Sequence, residues 1–161
     1  MKTIVVFFSL EGNSEYAANK ILEYTGADML ELKTVKEYPK GNFSKYFLGG
    51  KSAIFGEKPK LVPYKFSKDK YDLIIIGTPI WAGTFAPPIR TFIKENDLSK
   101  KKIALYACSA SGNAEKCFEK LKKELKDCDI TASLSLIEPK KKQSEENDKK
   151  IKEFCDKIEK Q

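Results

Sequence analysis

The sequence predicts an α/β fold: a doubly wound, five-stranded parallel sheet in the order 2-1-3-4-5, with helices on both faces. Three observations carry this expectation. Short, continuous apolar runs recur along the chain, as strands covered on both faces require. Stretches with helical periodicity separate those runs. The two kinds of segment alternate, strand then helix, five times over the 161 residues.

Taken in order, the first run is Ile4-Val5-Val6-Phe7-Phe8, β-branched and aromatic throughout. A helix starting near Asn13 then places Ala17, Ala18, Ile21 and Leu22 on one face. Asp28–Lys33 reads as a second strand, wetter than the first. The third strand is Leu73-Ile74-Ile75-Ile76, and a helix beginning at Pro87-Pro88 aligns Ile89, Phe92 and Ile93. Proline suits a first turn because its missing N–H has no partner to lose there. Ile103–Ala107 is the fourth strand, followed by a stripe of Cys117, Phe118, Leu121, Leu125 and Cys128. The fifth strand, Ile130–Ile137, alternates Ile130, Ala132, Leu134 and Leu136 with Thr131, Ser133 and Ser135. Ser144 caps the last helix, with Glu145 and Glu146 in its first turn and Ile151, Phe154, Cys155 and Ile158 inward. Strands two and five are half wet and so belong at the edges, which fits the 2-1-3-4-5 order. The connection over residues 34–71 is longer than one crossover needs. Within it, Phe43–Phe55 reads as a helix broken at Gly49-Gly50, and Glu57–Ser67 as loop.

Composition narrows the function. The length suits one domain over residues 1–161, large enough to fold without disulfides or metal. Histidine is absent, which excludes imidazole bases, Ser-His and Cys-His pairs and His-containing metal sites. The net charge of +7 is spread evenly, and its Lys100–Lys102 and Lys140–Lys142 runs lack interleaved aromatics. It reads as a solvated surface with some attraction for acidic partner proteins, not as a nucleic-acid module. Cys108, Cys117, Cys128 and Cys155 form no C-x-x-C pair and read as small core residues of a reduced, cytoplasmic protein. The apolar start has no cleavage site and is too short to span a membrane.

In a doubly wound sheet the ligand sits at the carboxyl ends of the strands, beside the reversal in strand order. Three segments lie there: Ser9-Leu10-Glu11-Gly12-Asn13-Ser14, Thr78-Pro79-Ile80-Trp81-Ala82-Gly83-Thr84-Phe85, and Ser109-Ala110-Ser111-Gly112-Asn113. They are rich in small and hydroxyl residues, and Glu11 is their one charge. The first suits an anion, because hydroxyls of Ser9 and Ser14, the Asn13 amide and backbone N–H groups meet at a helix start. The plainer alternative is an ordinary Asn or Ser helix cap. Trp81, the chain's one tryptophan, offers a flat ring to a planar ligand. Gly49-Gly50-Lys51-Ser52 ends like a nucleotide phosphate loop, but Lys45 stands where its first glycine belongs. A phosphoacceptor receiver would need acids where Ser9 and Thr78 stand.

These residues resemble those of the flavodoxins and their flavodoxin-like relatives of the short-chain type. S-L-E-G-N-S is similar to their phosphate loop, and G-T-P-I-W-A-G-T to the loop that wraps the isoalloxazine; the likeness extends over all five units. The resemblance implies a cofactor, FMN, held non-covalently. Ser9, Leu10, Glu11, Gly12, Asn13 and Ser14 would hold its phosphate. Thr78, Pro79, Ile80, Trp81, Ala82, Gly83 and Thr84 would frame the ring, with Trp81 covering one face. Ser109, Ala110, Ser111 and Gly112 would line the pyrimidine side. It further implies a peptide flip that stabilises one-electron-reduced flavin, with Ala82–Gly83 in a type II turn as the candidate. No catalytic side chain and no metal are implied.

Two departures stand out. Glu11 occupies the place of a phosphate-binding Thr, so it points away from the dianion or weakens its binding. No aromatic occurs in Ser109–Lys116, which leaves a flavin face open unless Tyr46, Phe47 or Phe55, within residues 43–66, covers it. The expected function is electron transfer between redox partner proteins. The alternative is an NAD(P)H-dependent flavin or quinone oxidoreductase, favoured by the open face and by a positive charge unusual in acidic carriers.

Overall fold

Side-chain alternation along the buried strands assigns each residue to one of two cores, and the helices follow. The computed structural model describes residues 1–38 and 56–160. Its elements are β1 (Thr3–Phe7), α1 (Asn13–Thr25), β2 (Asp28–Glu31), β3 (Leu73–Trp81), β4 (Thr84–Phe85) and α2 (Pro87–Glu95). Then come β5 (Lys102–Ser109), α3 (Glu115–Glu124), β6 (Asp129–Ile137) and α4 (Glu145–Glu159). Five parallel strands run β2-β1-β3-β5-β6, which is the expected 2-1-3-4-5 order once the small β4 is set aside.

One face of the sheet sends Val5, Phe7, Ile75 and Leu134 against Ala17, Ala18 and Ile21 of α1 and Ile151, Phe154 and Ile158 of α4. The opposite face sends Ile4, Val6, Ile74, Ile76 and Leu105 against Ile89 and Phe92 of α2 and Cys117 and Leu121 of α3. Each large side chain buried this way contributes about 1.5–3 kcal/mol. The edges are wetter as expected: no residue of β2 is fully buried, and β6 alternates.

Two readings are corrected. The chain after Ile76 is not a loop. β3 continues to Trp81, pairing Thr78 with Ala107 and Pro79 with Cys108 of β5. It then turns through Ala82-Gly83 into β4, which returns antiparallel with Ile80 opposite Phe85. The polar residues there disguise a strand, because half of it leaves the sheet's buried centre. Second, Cys128 lies beyond α3, whose last turn closes at Leu125, and its thiol donates to the Leu98 carbonyl. Glu57–Ser67 is loop, as expected, and is tied down by one antiparallel bridge between Thr34 and Leu61. The broken helix expected over Phe43–Phe55 lies outside the described residues.

Ser144 caps α4 as expected, its Oγ accepting from the Asn147 N–H at 3.2 Å. Pro87 and Pro88 open α2. Among the described residues no helix is long and apolar enough to cross a membrane.

The sheet's centre is shaped around Tyr106. Its ring is fully buried and its hydroxyl donates to the Ser14 carbonyl at 2.9 Å, tying β5 to the start of α1. The ring crosses Gly77 of β3 so closely that a Cβ there would stand 1.9 Å from Tyr106 Cζ. Gly77→Ala is therefore expected to cost about 1–3 kcal/mol through overpacking. Tyr106→Phe should cost about 1 kcal/mol, the net worth of one hydrogen bond. Urea unfolding of both variants checks the order; a Gly77→Ala protein as stable as the parent would contradict this packing.

Candidate functional site

Parallel register brings three chain exits to one edge. Phe7 is level with Gly77, and Gly77 with Tyr106, so the segments leaving β1, β3 and β5 meet above the sheet. They enclose a cavity of about 320 Å³. Ser9, Leu10, Glu11, Asn13 and Ser14 line it from the first exit, and Pro79, Ile80, Trp81 and Ala82 from the second. Ser109 and Ala110 line it from the third.

The remaining expected residues do not line the cavity. Gly12 is the residue before α1, at φ +90, and brings no side-chain cap of its own to that helix. The ordinary Asn or Ser cap is thus replaced by a glycine in the left-handed region, where other residues are strained. Thr78 is buried: its hydroxyl accepts from the Ala86 N–H at 2.9 Å and donates to the Pro79 carbonyl. Thr84 is also buried, its hydroxyl without a partner among the described residues. Gly83 and Ser111 do not face the cavity. Gly112 holds the third exit in place, donating its N–H to Ser109 Oγ at 2.8 Å. A Cβ on Gly112 would stand 2.7 Å from Ile137 Cγ1.

The first exit presents unsatisfied donors. Ser9 Oγ accepts from the Glu15 N–H at 3.2 Å, and the Tyr16 N–H donates to the Gly12 carbonyl. Among the described residues the N–H groups of Asn13 and Ser14 have no acceptor. Ser14 Oγ lines the cavity and is buried, yet has no partner with hydrogen-bonding geometry. Buried polar groups are nearly always paired, and a lone one costs about 1–3 kcal/mol. Its closest visible compensation is the Cys108 thiol, whose proton affinity it lowers. A hydroxyl and two N–H groups at a helix start, all lacking acceptors, suit an oxyanion.

The second exit differs from the expected type II turn. Ala82 has φ +48 and Gly83 φ +71, so both central residues are left-handed. Between paired Trp81 and Thr84 this is a two-residue type I′ hairpin turn, whose twist suits antiparallel strands. Alanine at its first position carries strain, which concentrates at functional sites. Trp81 packs edge-on against Phe8 (5.5 Å between centroids, 85° between planes) and Tyr38 (5.2 Å, 72°). This three-ring cluster fixes the indole's orientation in the cavity wall.

Sequence reasoning missed a fourth contributor, the turn after β6. Glu138 lines the cavity at φ +38, its carboxylate bound by Lys141 at 3.2 Å and Lys142 at 3.3 Å. Those ammonium groups hold its carboxyl below the usual range. The adjoining Lys140 donates its N–H to Asn13 Oδ1 at 3.1 Å. The strand order contained the signal: β6 lies beside β5, so the turn leaving β6 must meet the exit from β5. Cys108 also lines the cavity, and burial pushes its thiol up to about 12. Tyr46, Phe47 and Phe55, expected as covers for an open ligand face, lie outside the described residues.

Comparison with known proteins identifies the family. Residues 2–157 match the family model described as Flavodoxin, and the chain belongs to that family. No curated protein matches it in sequence. Among solved structures it is similar to a Bacteroides eggerthii protein provisionally called a flavoprotein, with TM-score 0.77 and 23% identity, covering 96% of each chain. It is also similar to a Lactobacillus acidophilus flavoprotein in complex with FMN, with TM-score 0.72 and 20% identity, covering 87% of this chain and 95% of that one. For oxidised flavodoxin 2 of Bacillus cereus the TM-score is 0.64 and the identity 16%, with 99% of each chain covered. At such identities these structures establish the shared fold.

A thiol held near 12 is neutral at physiological pH, and neutral thiols are poor nucleophiles. Iodoacetamide at pH 8 is expected to modify Cys108 only after unfolding, as peptide mass spectrometry would read. Rapid labelling of the native protein would contradict its burial.

Proposed function

From membership of the flavodoxin family as the premise, we propose that this chain holds FMN non-covalently in the carboxyl-edge cavity and transfers electrons through it. The observation that carries the reading is the cavity's polarity. The first exit offers Ser14 Oγ and the Asn13 and Ser14 N–H groups, all without acceptors among the described residues, and the second offers Trp81. A phosphate monoester with an apolar, planar body fits the two exits together. When bound, FMN supplies one- and two-electron chemistry; no side chain here needs to react.

The chain's own residues bind and orient. Ser9 and Gly12 shape the exit so that N–H groups face the anion, and the start of α1 adds its partial positive charge. Trp81, held edge-on by Phe8 and Tyr38, offers a rigid surface that loses little entropy on stacking. Ser109 and Ala110 complete the wall, and the Gly112 N–H fastens Ser109. The type I′ turn at Ala82-Gly83 remains the candidate for a peptide that changes orientation with redox state, since its strain lowers the cost of leaving it. The partners of a carrier at +7 are redox proteins with acidic docking surfaces, to which opposite charge would steer it. A second reading, direct reduction by NAD(P)H on the way to a flavin or quinone acceptor, is favoured by the absence of an aromatic in Ser109–Lys116.

Ser14→Ala separates binding from folding. Removing an unpartnered buried hydroxyl should leave the flavin-free protein at least as stable, while FMN affinity falls about tenfold. Trp81→Ala should weaken FMN by about 1–3 kcal/mol, the range for loss of a stacking ring. Equilibrium titration checks both, and an unchanged dissociation constant in either variant would remove that residue from the site. Anaerobic mixing of the FMN-loaded protein with NADH and NADPH separates the readings. The carrier reading expects no bleaching of the visible flavin bands within seconds; rapid bleaching would establish the oxidoreductase.

A further inference from the structure

We propose that Lys140 supplies the positive charge that neutralises a phosphate monoester at the start of α1, a role built by the turn after β6. The proposal rests on the FMN reading for the identity of the monoester, and on separate observations for the charge.

The Lys140 side chain lies across Gly12. A Cβ built on that glycine would stand 2.5 Å from Lys140 Nζ and 2.9 Å from its Cδ. Gly12 therefore does two things: it adopts the left-handed turn before α1, and it leaves room for a lysine to reach the anion-binding exit. The lysine's backbone is held too, because its N–H donates to Asn13 Oδ1 at 3.1 Å. That bond leaves the Asn13 NH2 group available for a ligand.

The rest of the turn is built to hold this position. The Glu138 N–H donates to the Ser109 carbonyl at 3.0 Å, which fastens the turn to the third exit. Asn147 of α4, buried, donates through Nδ2 to the Ile137 and Lys142 carbonyls, both at 3.0 Å. The three consecutive lysines then divide their work. Lys141 and Lys142 pair with Glu138, whereas Lys140 forms no ion pair among the described residues. Glu11 also lines the cavity and would repel a dianion, and Lys141 feels its charge. One uncommitted ammonium beside Gly12 offsets that carboxylate, two residues before Ser14, whose Oγ lies buried without a partner among the described residues. The resemblance expects Thr where Glu11 stands; here the acid at that place is met by a base from a distant segment.

The test compares Lys140→Gln, Lys140→Arg and Lys157→Gln, the last removing an exposed charge from the far end of α4. Each is titrated with FMN and with riboflavin, which lacks the phosphate. Lys140→Gln is expected to lose about fivefold to tenfold in FMN affinity and nothing in riboflavin affinity, with Lys140→Arg near the parent and Lys157→Gln unchanged. Equal losses for both flavins, or equal losses in Lys140→Gln and Lys157→Gln, would overturn the assignment, as would no loss at all. A second readout uses inorganic phosphate and the flavin-free protein. Phosphate should raise the thermal midpoint of the parent, and more weakly that of Lys140→Gln. If the parent binds neither flavin, the FMN reading fails, and the phosphate shift still decides Lys140: its dependence on that residue upholds the role, and its absence overturns it.

Discussion

Everything at this site depends on where α1 begins, and that point is set by a hydrogen bond passing through the middle of the sheet. Tyr106 on β5 reaches past β3 to donate to the Ser14 carbonyl, and it can do so only because Gly77 has no side chain. A parallel sheet aligns its strand ends but leaves the segments beyond them free to wander. Here one phenol fixes the first of those segments against the centre of the sheet. The first-turn donors that lack acceptors among the described residues are thereby held over the cavity. The cost is a buried aromatic pressed against a bare backbone, in a position where neither partner can change alone.

A second theme is compensation between distant segments. The first exit carries an acid, Glu11, where an anion is expected to bind, and the turn after β6 brings three lysines and a second acid to the same place. Two of the lysines are occupied by Glu138. Local charge is thus balanced by pairing within one turn, and the surplus is delivered across Gly12. The net charge of +7 hides this arrangement, because an even spread along the chain says nothing about which lysines converge in space.

Much of the fold was legible because burial on both faces leaves an unmistakable run of apolar residues. Such runs mark β1, the start of β3 and β5, and the half-wet character of β2 and β6 places them at the edges. The three exits were legible for the same reason, once strand order identified the functional edge. What escaped was set by geometry rather than composition. The end of β3 hides among Thr78, Pro79 and Trp81, which pair in the sheet although they look like loop. The turn at Ala82-Gly83 is type I′ because β4 returns directly alongside, and nothing in two small residues distinguishes it from type II. Lys140 escaped because its role depends on a contact 127 residues distant in sequence. Thr78 and Thr84 are expected at the site from their position along the chain, and the structure buries both.

Trp81 is the chain's one tryptophan and stands in the cavity wall, so its emission reports the site without any added label. The decisive experiment is therefore to titrate the flavin-free protein with FMN while following that emission. A flavin seated in the carboxyl-edge cavity predicts saturable quenching at one FMN per chain, matched by quenching of the flavin's own fluorescence. Unchanged tryptophan emission across a titration in which FMN does bind would place the flavin elsewhere, and no binding at all would contradict the functional reading itself.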